Sequence, residues 1–290
     1  MPSQPPPPAS HPAAAPKTAF VTGASSGIGR AIAEKLLSEN HRVWGTSRDP
    51  ARLADLAQKY PATFTPVALN LDNPDAAQAA YEQAAASTAT GVFDIVINNA
   101  GYGGQFAPFA SADFAHWRRQ IDAMLTTTAR LSHTALRGMI ACNRGILVNV
   151  SSLVVNFPLP YMSAYNTAKA GLSALNESLI YETRGTNIAI IDFRPGDYRT
   201  DFNNVMRPAL ESRSGRPDRL SQVWKTIDAQ FNSAPLPDRA ARDLLRAVAR
   251  ARSGTVRSGA FFQARVAPLA ARLLPSTLMR SLQARYFGAT

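Results

Sequence analysis

The sequence predicts a single α/β domain built on a doubly wound parallel sheet. From Thr18 onward, short β-rich runs alternate with longer helical patterns. Several of those runs are apolar without strict alternation, as expected for strands covered on both faces. The chain has 290 residues, 46% of them hydrophobic, enough to bury one full core.

Taken in order, residues 18–22 (TAFVT), 42–46, 63–69, 93–98, 145–150 and 187–193 read as strands, with 255–259 as a last short one. Helical periodicity runs through residues 28–39, 52–60, 74–87, 112–139 and 163–184. Strand, helix, strand, repeated, implies right-handed crossovers. After Phe193 the pattern breaks, and residues 203–219 are rich in turn formers and charge. An insertion after a late strand falls at the strands' carboxyl edge, where ligands bind, so a substrate loop is expected at about 197–235. No repeat of fixed period is visible.

The ends differ from this domain, expected at 17–260. Residues 1–16 hold seven prolines and no apolar periodicity, and read as a disordered tail. The tail lacks the basic start and apolar stretch of a secretory signal. No window approaches the ~20 apolar residues of a membrane span. The single cysteine, Cys142, excludes an intramolecular disulfide, and the four histidines show no metal-ligand spacing, so no metal site is expected. A reducing, cytoplasmic compartment is the simplest expectation.

The net charge is +11, and from Leu244 to Thr290 there are eight arginines and no Asp or Glu. Such a bias suits anionic ligands, nucleic acid or an acidic membrane surface, and alone identifies none of them. In the extension 261–290, arginines are interleaved with Leu269, Leu273, Leu274, Leu278, Met279 and Leu282, and Pro275 divides it into two short helices. Packing as a lid or subunit contact is one reading; peripheral membrane contact is the other.

FVTGASSGIGRAIAEKLL, residues 20–37, is a strand, a glycine-rich turn and a helix. Gly23, Gly27 and Gly29 allow a tight turn and close approach of backbone to phosphate. The helix start then offers free N–H groups to a pyrophosphate. Further on, the end of the second strand reads Gly45-Thr46-Ser47-Arg48-Asp49. An acidic residue there would favour NAD through the ribose hydroxyls. Arg48 instead has a guanidinium that can fork onto a 2′-phosphate, with the Ser47 hydroxyl beside it. The competing reading pairs Arg48 with Asp49 in solvent.

The spacing T-G-x-x-x-G-x-G resembles the short-chain dehydrogenase/reductase family, and further motifs follow in that family's order. Asn98-Asn99-Ala100-Gly101 closes the fourth strand and Asn149-Val150-Ser151-Ser152 the fifth; Tyr165-x-x-x-Lys169 comes next, then Pro195-Gly196 with Thr200. The resemblance spans about Thr18 to Phe202 and implies a Rossmann fold and a nicotinamide cofactor, NADP(H) in preference to NAD(H). It implies cofactor contacts from Gly23, Ser25, Ser26, Gly27, Ile28 and Gly29, and from Ser47 and Arg48. Asn70 and Leu71 would meet the adenine. Asn99, Ala100, Gly101, Tyr165, Lys169, Pro195, Gly196 and Thr200 complete the set.

Hydride chemistry on a carbonyl or alcohol needs one proton moved to or from the oxygen. A free tyrosine titrates near ~10, and a neighbouring ammonium lowers that value. Tyr165 is therefore the expected acid/base and Lys169, one helical turn on, the expected charge. In the family the equivalent lysine also bonds the nicotinamide ribose. Ser152, thirteen residues before Tyr165, matches the family's catalytic serine and would hold the substrate oxygen. Tyr102, Phe106, Val154, Phe157 and Tyr161 are expected to line the substrate, with Met162 nearby, and favour a hydrophobic carbonyl or alcohol.

One family residue is missing. Many members carry an asparagine in the long fourth helix where alignment here gives Met124, whose thioether can neither donate an N–H nor hold water strongly. Asp122 and Thr126 lie off its helical position. The expected activity is NADP-dependent interconversion of a hydrophobic ketone or aldehyde and its alcohol. A non-catalytic NADP-binding protein and an epimerase or dehydratase are the alternatives. Expected partners are the small-molecule substrate and, from the resemblance, further copies in a homodimer or homotetramer, with no nucleic acid.

Overall fold

A computed structural model describes residues 15–200 and 219–288. The proline-rich tail lies outside these residues apart from Ala15 and Pro16, as does the turn-rich stretch 203–219 apart from Arg219.

Seven strands form one parallel sheet in the spatial order β3-β2-β1-β4-β5-β6-β7. They are β1 (Thr18–Val21), β2 (Arg42–Ser47), β3 (Phe64–Ala68), β4 (Ile95–Asn98), β5 (Gly145–Val150), β6 (Ile188–Pro195) and β7 (Gly254–Ser258). The order reverses between β1 and β4, which places a crevice at their carboxyl ends. The helices are α1 (Gly27–Ser38), α2 (Ala54–Lys59), α3 (Pro74–Ala86), α4 (Phe114–Ile121), α5 (Thr128–Cys142) and α6 (Ser163–Glu182). Then come α7 (Arg219–Ser233), which falls within the expected loop 197–235, α8 (Pro237–Arg250), α9 (Ala267–Leu273) and α10 (Ser276–Tyr286). Pro275 separates the last two, as the sequence predicts.

Alternate strand residues fill two cores. Val21, Ile95, Ile97, Val148 and Ile191 face α1 and α8, while Phe20, Val96, Leu147 and Ile190 face the side holding Tyr81 and Leu131. Burial on both faces explains why these strands read as continuous apolar runs. Helix ends follow local rules: the Asn73 side-chain Oδ1 accepts the N–H of Ala76 at the start of α3, and Asn143 closes α5 at φ 48°.

Three features depart from the sequence reading. The expected helix at 112–139 is divided, because a π turn at Asp122–Thr127 separates α4 from α5. The Thr127 hydroxyl fastens that turn by donating to the Leu71 carbonyl at 2.9 Å. Helices α7 and α8 were not expected, although Ala241, Leu244, Leu245 and Val248 follow helical spacing and are buried. A third core also exists, formed by Phe106, Met162, Val223, Trp224, Ile227, Phe231 and Phe287.

Beneath the carboxyl ends of β4, β5 and β6 runs a buried polar ladder. Asn98 donates to Asn149 at 2.9 Å, Asn149 to Asn176 at 2.7 Å, and Asn176 to Asp192 at 3.0 Å. Asp192 is wholly buried, and also accepts from Ser151, from Ser173 at 2.8 Å and from Arg194 at 2.7 Å. Removing a carboxylate of this kind strands its donors without water. Asp192→Ala is expected to cost about 3–5 kcal/mol, read as a lower urea midpoint with an unchanged m-value. A loss below about 1 kcal/mol overturns the ladder's structural role.

Candidate active site

The crevice holds a cavity of about 330 Å³, and three glycines show why backbone lies against it. A Cβ on Gly29 would stand 2.2 Å from the Gly23 carbonyl oxygen, so no side chain fits there. Gly23 and Gly27 adopt φ of 70° and 56°, a conformation that glycine reaches without strain. The turn is pinned by Thr22, whose hydroxyl accepts the N–H groups of Asn99 and Ala100 at 2.9 Å, and by Thr46, whose hydroxyl accepts that of Gly23 at 3.2 Å. Ser26 stands at the start of α1 in extended conformation, its side chain caps no N–H, and the first turn carries no acidic residue. This is an arrangement suited to a phosphate.

Every residue expected at the cofactor lines this cavity: Gly23, Ser25, Ser26, Gly27, Ile28, Gly29, Ser47, Arg48, Asn70, Leu71, Asn99, Ala100, Gly101, Tyr165, Lys169, Pro195, Gly196 and Thr200. Arg52, absent from the sequence reading, joins Arg48 through the 3₁₀ turn Pro50–Leu53. Asp49 caps that turn by accepting the N–H of Ala51 at 3.0 Å. The Asn70 carbonyl oxygen accepts the N–H of Asp72, so the acceptor expected to meet the adenine is engaged locally. Asp72 itself lines the cavity.

At the other end Ser152, Tyr165 and Lys169 come together. Ser152 follows β5, Tyr165 and Lys169 lie on the first turns of α6, and all three line the cavity. The Ser152 hydroxyl bonds the Tyr165 phenol and pulls its pKa down, but burial outweighs this and pushes it up to about 12. Burial pulls Lys169 down to about 8 against the charge of Asp192, and its Nζ donates to the Val150 carbonyl at 2.6 Å. The ammonium stands 5.9 Å from the Tyr165 ring centroid. Burial therefore has the larger effect on Tyr165, where the sequence led us to expect a lowered value. Ser151 also lines the cavity, but its hydroxyl donates to Asp192.

The substrate wall differs from the expectation. Tyr102 and Val154 line the cavity, together with Leu159, Met162 and Phe231. Phe106, Phe157 and Tyr161 are not among its lining residues. Phe106 is 4% exposed and stacks edge-on with Tyr161 and Trp224, at 5.5 and 5.2 Å between centroids, in the third core. Phe157 is half-buried beyond the 3₁₀ turn Leu153–Val155. Asp197, which the sequence reading missed, does line the cavity; burial pushes its carboxyl pKa up, offset in part by the Gln263 amide that donates to it at 2.6 Å.

Met124 is buried within the π turn, beside both Gly101 and Lys169. A Cβ built on Gly101 would meet the Met124 methyl at 3.0 Å and the Lys169 Nζ at 3.8 Å. Asp122 points away to Arg118, and Thr126 is exposed. Among the described residues no group of three or more His, Cys, Asp or Glu could hold a metal ion.

The short chain dehydrogenase family model matches residues 17–211. The chain belongs to that family. Short-chain dehydrogenases are NAD(P)-dependent oxidoreductases, and the sheet order and glycine turn here are of that kind. A relative in Haemophilus influenzae, a "probable NADP-dependent dehydrogenase", is 30% identical over 213 residues, 73% of this chain and 81% of that one. A metagenomic short-chain oxidoreductase solved with NADP is 28% identical, with a TM-score of 0.64 over 83% of this chain and 96% of that one. A Burkholderia phymatum member solved with NAD shares the fold, with a TM-score of 0.76 at 23% identity over 92% and 95% of the two chains.

The depressed Lys169 value sets a pH dependence for the cofactor-free dehydrogenase. Its folded pKa, about 8, lies below the ordinary lysine value of 10.5, so the unfolded chain holds more protons between them. Stability therefore rises with pH across that window, and below it the penalty is constant at roughly 3 kcal/mol. Compared with Lys169→Met, the wild type is expected to gain about that much between pH 8 and 10.5, measured by urea unfolding. A stability difference that does not change with pH overturns the assignment.

Proposed function

We propose that the protein interconverts a hydrophobic ketone or aldehyde and its alcohol with NADP(H), using Tyr165 as the acid/base. The observation that carries this reading is the convergence of Ser152, Tyr165 and Lys169 on the cavity that the glycine turn opens. The glycine cradle and uncapped start of α1 fit a dinucleotide pyrophosphate, and Gly23 through Gly29 would hold it. Bound cofactor would supply or accept the hydride at the substrate carbon.

The chain's own groups handle the oxygen. The Ser152 hydroxyl would donate to the carbonyl oxygen as charge builds there during reduction. Tyr165, its phenol held neutral by burial, would pass its proton to that oxygen, closing the alcohol O–H bond. The resulting phenolate would then be steadied by the Lys169 ammonium, and the phenol regenerated by a proton from solvent. In the oxidative direction the same groups run in reverse. Val154, Leu159, Met162 and Phe231 favour an apolar substrate body.

The cofactor preference rests on Arg48 and Arg52 beside Ser47, since two guanidiniums suit a 2′-phosphate and no carboxylate ends β2. The NADP named for the Haemophilus influenzae and metagenomic relatives agrees, while the Burkholderia phymatum structure holds NAD. Intact Ser152, Tyr165 and Lys169 argue against a purely cofactor-binding role.

Tyr165→Phe is expected to lower kcat for carbonyl reduction by ~10²- to 10⁴-fold while NADPH affinity stays near wild type. The check is NADPH oxidation across a carbonyl panel beside fluorescence titration; undiminished turnover removes Tyr165 from the mechanism. Arg48→Ala is expected to weaken NADPH binding by roughly 10- to 100-fold and to leave NADH unaffected. Equal wild-type affinities for NADPH and NADH overturn the preference.

A further inference from the structure

The C-terminal extension wears its large apolar side chains on the outside. Through the π turn Phe262–Val266 and α9, Phe262, Val266, Leu269 and Leu273 recur at helical spacing and are 61%, 41%, 58% and 73% exposed. On the opposite face Ala264 and Pro268 are buried. A helix serving only to pack on the domain would present the reverse pattern. Phe261 precedes this row, and on α10 Leu278 and Leu282, one turn apart, are exposed as well.

The inner side of the extension is already fixed. Gln263 reaches the cavity wall through Asp197, and Phe287 is buried in the third core near Phe231. The outer row is thus left over after the segment has docked on the domain. Exposed Arg265 and Arg285 lie beside the apolar residues of their own helical turns, in a stretch from Leu244 that contains no Asp or Glu.

We propose that this face docks on an anionic lipid surface, with α9 and α10 lying in the plane of the interface. An apolar row whose segment carries arginines and no acidic residue matches acyl chains beneath anionic headgroups. A second copy is the poorer match: identical faces meeting across a two-fold axis set arginine against arginine with no acidic partner in the segment. No helix among the described residues is long and apolar enough to cross a membrane, so the contact is peripheral. On its inner side the same segment reaches the cavity wall, through Gln263 and Asp197. The docking itself stands independently of the proposed catalytic mechanism.

The test is co-sedimentation of the full chain with phosphatidylcholine vesicles containing roughly a third phosphatidylglycerol, beside pure phosphatidylcholine. The full chain is expected to bind the anionic vesicles, and high salt to weaken that binding. Phe262→Ser with Leu273→Ser should reduce binding at least ~10-fold. Arg265→Gln with Arg285→Gln should reduce it about fivefold per arginine. Both double variants should keep wild-type melting temperature and wild-type NADPH turnover of a water-soluble aldehyde. Failure of the full chain to bind anionic vesicles, or undiminished binding by the double variants, overturns the proposal. So does conversion of a dimer to monomer by the Phe262/Leu273 variant in sedimentation velocity, which would assign the face to a second copy. Absence of turnover in the wild type counts against the catalytic reading and leaves the vesicle result intact.

Discussion

The wholly buried carboxyl group of Asp192 is the constraint around which the catalytic end is arranged. Such a group is tolerated in the interior only when its oxygens are paired. Its partners come from β6 itself (Arg194), from the segment after β5 (Ser151) and from α6 (Ser173 and Asn176). Satisfying all four fixes how α6 is rotated against the sheet. Tyr165, Lys169, Ser173 and Asn176 fall at i, i+4, i+8 and i+11 on that helix, which is one face. The lower half of the face meets Asp192 and the upper half meets the cavity. The direction of the phenol and the ammonium therefore follows from a polar contact farther along the same helix.

Burial also decides the protonation states. Tyr165 is pushed up and Lys169 down, each toward its neutral form. A phenol that keeps its proton near neutrality is poised to donate to an oxygen on which negative charge is forming. Oxidation asks for the phenolate, which this environment disfavours in the absence of bound cofactor. In the cofactor-free site the phenol therefore holds its proton near neutrality.

The parts of the site that could be read from sequence are those encoded by local spacing. Gly23, Gly27 and Gly29 share one turn, and Tyr165 and Lys169 share one helix face, so neighbouring residues carry the message. The polar ladder was not legible, because Asn98, Asn149 and Asp192 lie on three strands and meet only after the sheet registers place Asn98 opposite Asn149 and Asn149 opposite Asp192. Phe106 and Tyr161 were misplaced for a related reason. Their aromatic character suits a substrate wall and a core equally, and Trp224 on α7, more than sixty residues away in the chain, draws them into the core. Arg52 went unnoticed because its approach to Arg48 depends on a 3₁₀ turn capped by Asp49.

Met124 ties these threads together. An amide at that position could donate and accept hydrogen bonds; the buried thioether does little of either, and the Lys169 ammonium donates to the Val150 carbonyl. Burial is the main cause of the fall in the lysine's pKa to about 8. A lysine near 8 releases a proton far more readily at neutral pH than one near 10.5. On the proposed mechanism, the proton that restores the Tyr165 phenol arrives through the cavity that Tyr165 and Lys169 both line.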